Sequence, residues 1–210
     1  MEGVRQEIVS YVEERILPQY EGFDAAHRYG HANKVIQNSM VLAQHFDVDS
    51  EMVYTIAAYH DIGLRNGREN HEQASAAYLL ADEKLAAWFT TAQRGVMAEA
   101  VADHRASNAT PPRSLYGRIV AEADRDIDYM TILTRTLQYS LANYPEFYKE
   151  QHFERCYAHL QEKYGENGYM KLWLDVGGNK RKLDEMRRSM KTPAEARKDF
   201  DAIYISLTGE

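Results

Sequence analysis

His60 and Asp61 stand side by side, directly after the apolar run Thr55-Ile56-Ala57-Ala58-Tyr59. A run of that kind belongs in a core, and a charged pair at its end is expensive to bury without compensation. A bound divalent cation would supply the compensation. Successive helical residues diverge by about 100° around the axis, so both side chains can reach one ion only where a helix ends. Gly63, in Asp-Ile-Gly-Leu, marks such an end. Neutral imidazole and carboxylate together suit Mn²⁺, Fe²⁺, Co²⁺ or Zn²⁺, with coordination positions left open for water or substrate. Other histidines and aspartates recur beside small or apolar residues. They are His27 with His31, His104, and Asp124 with Asp128, while His71 lies on the loop side of a later helix. Taken singly, each has an ordinary explanation: a solvated histidine, or an aspartate capping a helix.

The elements that must position these residues are helical almost throughout. Val4, Ile8, Tyr11, Val12 and Ile16 fall on one face of a helix stopped near Pro18. A second helix starts around His27 and runs through Val35, Ile36, Met40 and Phe46. Met52, Val53, Ile56 and Ala57 define a third. Residues 72–81 predict a fourth and residues 86–103 a broken fifth. Residues 108–112 form a loop with two adjacent prolines. A sixth helix is expected from Ser114 through Ile127. No alternating strand of four or more residues occurs before residue 200, so the expected class is all-α. The last third, from about Tyr144, is rich in tyrosine and charge and punctuated by Gly165, Gly168, Gly177 and Gly178. It reads as helices packed on the first part. Its tyrosines fit helix packing, with a ligand pocket as the alternative.

The ordered set of His31 in His-Ala-Asn-Lys34-Val35, then His60-Asp61-Ile62-Gly63, then Ala123-Asp124-Arg125 resembles the HD-domain superfamily of metal-dependent phosphohydrolases, in its branch of small bacterial hydrolases. The resemblance covers about residues 20–130. It implies a single HD-type helical bundle over residues 1–210, with additional C-terminal helices from about 144 to 210. It also implies that His31, His60, Asp61 and Asp124 are the metal ligands, with Asp128 a second choice for the last. The implied metal is one divalent ion, of Mn, Fe, Co, Mg or Zn, and Asp61 doubles as proton acceptor for the attacking water. His27 shares the helix face of His31, as in the His-x-x-x-His of that branch, and is expected in contact with substrate phosphate. Lys34 replaces the more usual arginine, keeping the charge and losing the planar fork. Some superfamily members are binuclear and recruit further histidines. Here His71 follows Asp61 by only ten residues, short for a ligand on the next helix. His104 and Arg105 are expected to bind or protonate a phosphate, Arg65 and Arg68 to assist from the loop after the motif, and Arg125 to point away into a salt bridge.

The implied activity is hydrolysis of a nucleotide or other small phosphate ester by a metal-activated water. Two alternatives stay open: a di-iron oxygenase of the same fold, which needs both His71 and His104 as ligands, and a non-catalytic nucleotide-binding module. Composition limits the remaining classes. The 210-residue chain carries 25 basic and 32 acidic side chains, a net charge of −7 that disfavours a nucleic-acid polymer as partner. Residues 178–199 depart from this with eight Lys or Arg against four Asp or Glu, read as a solvated helix face, with a basic lid over an anionic substrate as the alternative. The single cysteine, Cys156, excludes a disulfide framework and a Cys-rich zinc site. The absence of a signal-like N-terminus or a long apolar run points to a cytoplasmic protein with no membrane partner. Homo-oligomerisation is left open, and no Gly-rich phosphate loop is present.

Overall fold

The computed structural model describes residues 3–23, 29–108, 110–125 and 127–209. All regular structure among them is helical. The chain folds as two compact units. The first comprises residues 1–125 with 173–177, and the second residues 126–172 with 178–210.

In the first unit, Asp49 opens the central helix α3 (Ser50–Tyr59), its carboxylate accepting the backbone N–H of Glu51 and Met52. Every residue from Met52 to Tyr59 is buried. A helix that is apolar all round must be enclosed on all sides, and α3 is packed by α2 (Tyr29–Ala43), α5 (Thr91–Ala102) and α6 (Leu115–Ala123). The N-terminal helix α1 (Gln6–Tyr11) does not run regularly to Pro18. It widens into a π turn over Val12–Ile16 and tightens into a 3₁₀ turn over Leu17–Gly22. Pro18 lacks the N–H that a continuing α-helix would use, so the ladder changes pitch there. That turn delivers Tyr20, fully buried, whose hydroxyl donates to Ala58 O at 2.9 Å and accepts from Asp61 N at 3.3 Å. One phenol thus ties down the end of α3.

Beyond α3, a 3₁₀ turn (Ile62–Asn66) leads to α4 (His71–Ala81) through Gly67 at φ 101° and Asn70 at φ 51°. Left-handed backbone at these two positions, glycine and asparagine being the residues that tolerate it, turns the chain back within four residues. The expected broken fifth helix is a short 3₁₀ turn (Glu83–Ala87), then α5 opened by a Thr90–Gln93 capping box. The sixth helix, α6, stops at Ala123, four residues short of expectation, and Asp124 is its C-cap. Residues 173–177 return to this unit. Leu174 and Val176 pack on its core, and Trp173 N donates to the buried carboxylate of Glu122 at 2.8 Å.

The second unit holds α7 (Tyr129–Asn143), α8 (Lys149–Tyr164), α9 (Asn179–Ser189) and α10 (Pro193–Thr208). Asp128 caps α7, accepting from Thr131 N at 2.8 Å, a local role that accounts for its type at that position. The helices α7, α8 and α10 pack on one another around Phe153, Leu160 and Phe200, with Cys156 buried among them. No helix among the described residues is long and apolar enough to cross a membrane.

Candidate metal centre

The residues of interest sit at helix ends in the first unit. His60 is the C-cap of α3 and Asp61 the first residue past it, at φ −111° and ψ 5°. The backbone leaves the helix between them and the two side chains converge, with His60 Nε2 3.4 Å from Asp61 Oδ2. From α2, His31 Nε2 reaches to 3.6 Å from the same oxygen and to 3.2 Å from Asp124 Oδ1. Asp124 Oδ1 is 4.0 Å from His60 Nε2. The other oxygen of Asp61 has its own neighbours. His71 Nε2 is 3.2 Å and His104 Nε2 3.3 Å from Oδ1.

Three of the histidines are held in the same way. His60 Nδ1 donates to Ala57 O at 2.7 Å, His104 Nδ1 to Val101 O at 2.6 Å, and His71 Nδ1 to Arg68 O at 3.1 Å. In each case the acceptor is the carbonyl three residues earlier. For His60 and His104 it is also a carbonyl of the last helical turn. A histidine that gives its Nδ1 proton to a fixed carbonyl keeps a bare, aimed Nε2, the arrangement that metal-ligating histidines adopt.

Six ligand atoms therefore fall into two groups, His31, His60 and Asp124 in one, Asp61, His71 and His104 in the other, with each group's atoms within 4.8 Å of one another. Donors bound at about 2.1 Å to one ion stand roughly 3.0–3.4 Å apart in octahedral or tetrahedral geometry. Four contacts of 3.2–3.4 Å match that spacing and those of 3.6 and 4.0 Å lie a little beyond it, so the cluster fits divalent metal. Without a cation the carboxylates draw protons instead. Burial opposes charge on His31, but Asp124 and Asp61 outweigh it and hold its pKa up to about 10. His104 is likewise raised, against its burial, by Asp61. Burial acts to raise Asp61 and Asp124, yet the facing histidines pull both below the usual carboxylate range.

His71 enters the cluster despite its short spacing because of Gly63. A Cβ there would stand 2.2 Å from His71 O, 2.5 Å from Ser75 N and 2.8 Å from Ala74 Cβ. The first turn of α4 lies directly on Gly63, whose N–H donates to Ser75 Oγ at 2.8 Å. Gly63 thus does more than end a helix: it lets the next one press in, bringing His71 to Asp61. Glu72, buried, stands behind His71 with Oε2 3.4 Å from its Nδ1. Arg105 Nη1 lies 3.5 Å from that same Glu72 oxygen. Lys34 is exposed on α2, one turn beyond His31. His27 lies outside the described residues. Contrary to expectation, Arg125 points inward. It is buried, donates to His104 O at 3.1 Å and lies 3.7 Å from Asp124 Oδ2, so it joins the segments that carry two of the six side chains. Sequence reading missed Glu72 and Tyr20, for neither has a motif. Gly67 and Asn70, residue types that tolerate positive φ, were the local signals of an abrupt return before His71.

The fold and cluster define a helical domain of the kind that gathers His and Asp from helix ends around divalent metal. The family model for the HD domain matches residues 28–127. Residues 28–127, just under half of the chain, therefore match the HD domain, and that segment holds all six side chains of the cluster. A solved structure described as a predicted HD superfamily hydrolase, from an uncultured Thermotogales bacterium, is similar at 23% identity. That match covers 74% of this chain and 86% of the other, with a TM-score of 0.50, and speaks to the fold. Comparison with curated proteins finds no match.

Proposed function

We propose that the protein is a metal-dependent phosphohydrolase acting on a nucleotide or other small phosphate ester, and that its centre takes two divalent ions where the sequence suggests one. The observation that carries this is the placement of Asp61, whose two oxygens face different histidine groups. A carboxylate so placed would help to hold both ions, and His104, expected as a substrate contact, would serve as a ligand together with His71. Two divalent ions against the carboxylates of Asp61 and Asp124 leave a surplus of positive charge, which suits an anionic substrate. The description of the similar Thermotogales protein as a hydrolase agrees with this reading.

When bound, such ions lower the pKa of water and polarise a phosphoryl oxygen. The chain's own contribution is position and proton handling. Asp61, with a side chain only 5% exposed and both oxygens engaged, holds the centre together. Asp124, 20% exposed, is the carboxylate that solvent reaches. It is therefore the better acceptor for the proton that water loses as its oxygen bonds to phosphorus and the ester oxygen leaves. Lys34 offers a cation at the exposed end of α2 for the phosphate. The test is phosphate or pyrophosphate release from a panel of nucleotides and esters by metal-stripped protein given Mn²⁺, Mg²⁺, Co²⁺, Zn²⁺ or Fe²⁺, with Asp61→Ala as the blank. Release that requires metal and vanishes in the blank supports the proposal.

One observation favours a second reading. The oxygenase alternative requires both His71 and His104 near Asp61, and both are there. Oxygen consumption by iron-loaded protein, with no phosphate release by any loaded form, would select it.

A further inference from the structure

Beside the turn that follows Asp61 lies an open cleft of about 430 Å³, in the size range of small-molecule sites. Its described lining is Gln19, Gly22, Phe23, Leu64, Arg65, Gly67 and Arg68, of which Arg65 and Arg68 are cationic. One wall is part of the segment strung between Asp61 and His71. Leu64 N donates to Asp61 O at 3.0 Å, Gly67 N to Leu64 O at 2.9 Å, and Arg68 O takes the Nδ1 proton of His71. At roughly 2 Å of rise per 3₁₀ residue, Arg65 stands about 8 Å along the backbone from Asp61. That is the reach of a polyphosphate chain.

The cleft is also prearranged. Arg65 donates to Gln19 Oε1 at 3.0 Å and its guanidinium lies 5.1 Å over the ring of Tyr78, so the charge is held on a fixed arm. Gly22 is outside the left-handed region, so backbone conformation does not require glycine there, and nothing lies within 4 Å of the place its Cβ would take. Its small size leaves the cleft open rather than relieving a clash.

We infer that this cleft receives a second anionic group of the substrate, and that the substrate class is accordingly phosphoric anhydrides, such as nucleoside di- and triphosphates, rather than monoesters. The inference rests on the phosphohydrolase reading for the position of the scissile phosphate. Arg65 and Arg68 are the groups that pair with the additional phosphate, and Gln19 steadies Arg65.

The test is equilibrium binding to the metal-loaded full chain of a nonhydrolysable imido-triphosphate nucleoside and of the matching nucleoside monophosphate. The wild type is expected to bind the triphosphate analogue tighter by about tenfold or more, the margin that charge-assisted contacts give. Arg65→Gln with Arg68→Gln should erase that margin. Gly22→Met, which keeps both charges and fills the space, should erase it too. A margin absent from the wild type, or retained in both variants, overturns the assignment. Hydrolysis of the panel above is scored separately. A protein that hydrolyses no phosphate compound yet shows the arginine-dependent margin would lose the hydrolase reading and keep the cleft.

Discussion

The contact between Gly63 and α4 yields the sharpest prediction. In Gly63→Ala the new Cβ starts 2.2 Å from His71 O and 2.5 Å from Ser75 N, both backbone atoms in the first turn of a helix. Neither can swing aside as a side chain tip would, so α4 must back off by about 1.2 Å, from 2.2 Å to the 3.4 Å of ordinary contact. Overpacking of this kind costs about 1–3 kcal/mol. Straining the Gly63 N–Ser75 Oγ bond adds roughly 0.5–1.5 kcal/mol. At roughly 2–4 °C per kcal/mol for a chain of this size, the melting temperature of the metal-free protein should fall by roughly 3–18 °C. The same displacement carries His71 Nε2, now 3.2 Å from Asp61 Oδ1, away from the centre. Metal analysis of the reconstituted variant should show the group of Asp61, His71 and His104 weakened and that of His31, His60 and Asp124 retained, about one ion per chain. Gly95→Ala is the control, since nothing lies within 4 Å of its Cβ position on α5. Helix propensity makes it about 0.5–1 kcal/mol more stable. If Gly63→Ala melted like the wild type and kept its full metal content, the argument from close approach would be refuted.

Loading the metal-free protein at pH 7.5 should release protons, because His31 with its pKa of about 10 is protonated there and must be neutral as a ligand. Apparent affinity should therefore rise with pH up to about 10, and calorimetry in two buffers of different ionisation heat would expose a zero-proton result that contradicts this. Asp82→Ala should cost about 2–4 kcal/mol, since Asp82 Oδ2 accepts both Tyr11 OH at 2.6 Å and Tyr59 OH at 2.5 Å and its loss strands two hydroxyls. Denaturant unfolding measures that cost, and metal content at permissive temperature should be unchanged. Arg125→Met should lower metal content by loosening His104 and Asp124 together, whereas an unchanged metal content would make the guanidinium a packing element only.

Much of the fold was legible because helices announce themselves by period. The apolar stretch before His60 predicted a helix, and the need for adjacent residues to share a site predicted a helix end at His60 and Asp61. What stayed hidden depends on contacts distant in sequence. Ten residues between Asp61 and His71 look too few until two left-handed positions and the absence of a side chain at Gly63 fold them into a tight return. Arg125 reads as a surface charge until its bond to His104 O is seen. The Trp173–Gly177 segment carries no periodic signal, yet it packs on the first unit and pairs with Glu122. Helical pattern alone does not say which helices share a core.

The most direct measurement is the metal content of the wild type and of His104→Ala after metal-stripped protein is reconstituted with Mn²⁺ and desalted. His104 belongs to the Asp61 Oδ1 side of the cluster. Two ions per chain in the wild type, falling to one in the variant, is the outcome that a bridging Asp61 requires. A single ion in the wild type, left in place by His104→Ala, would contradict it.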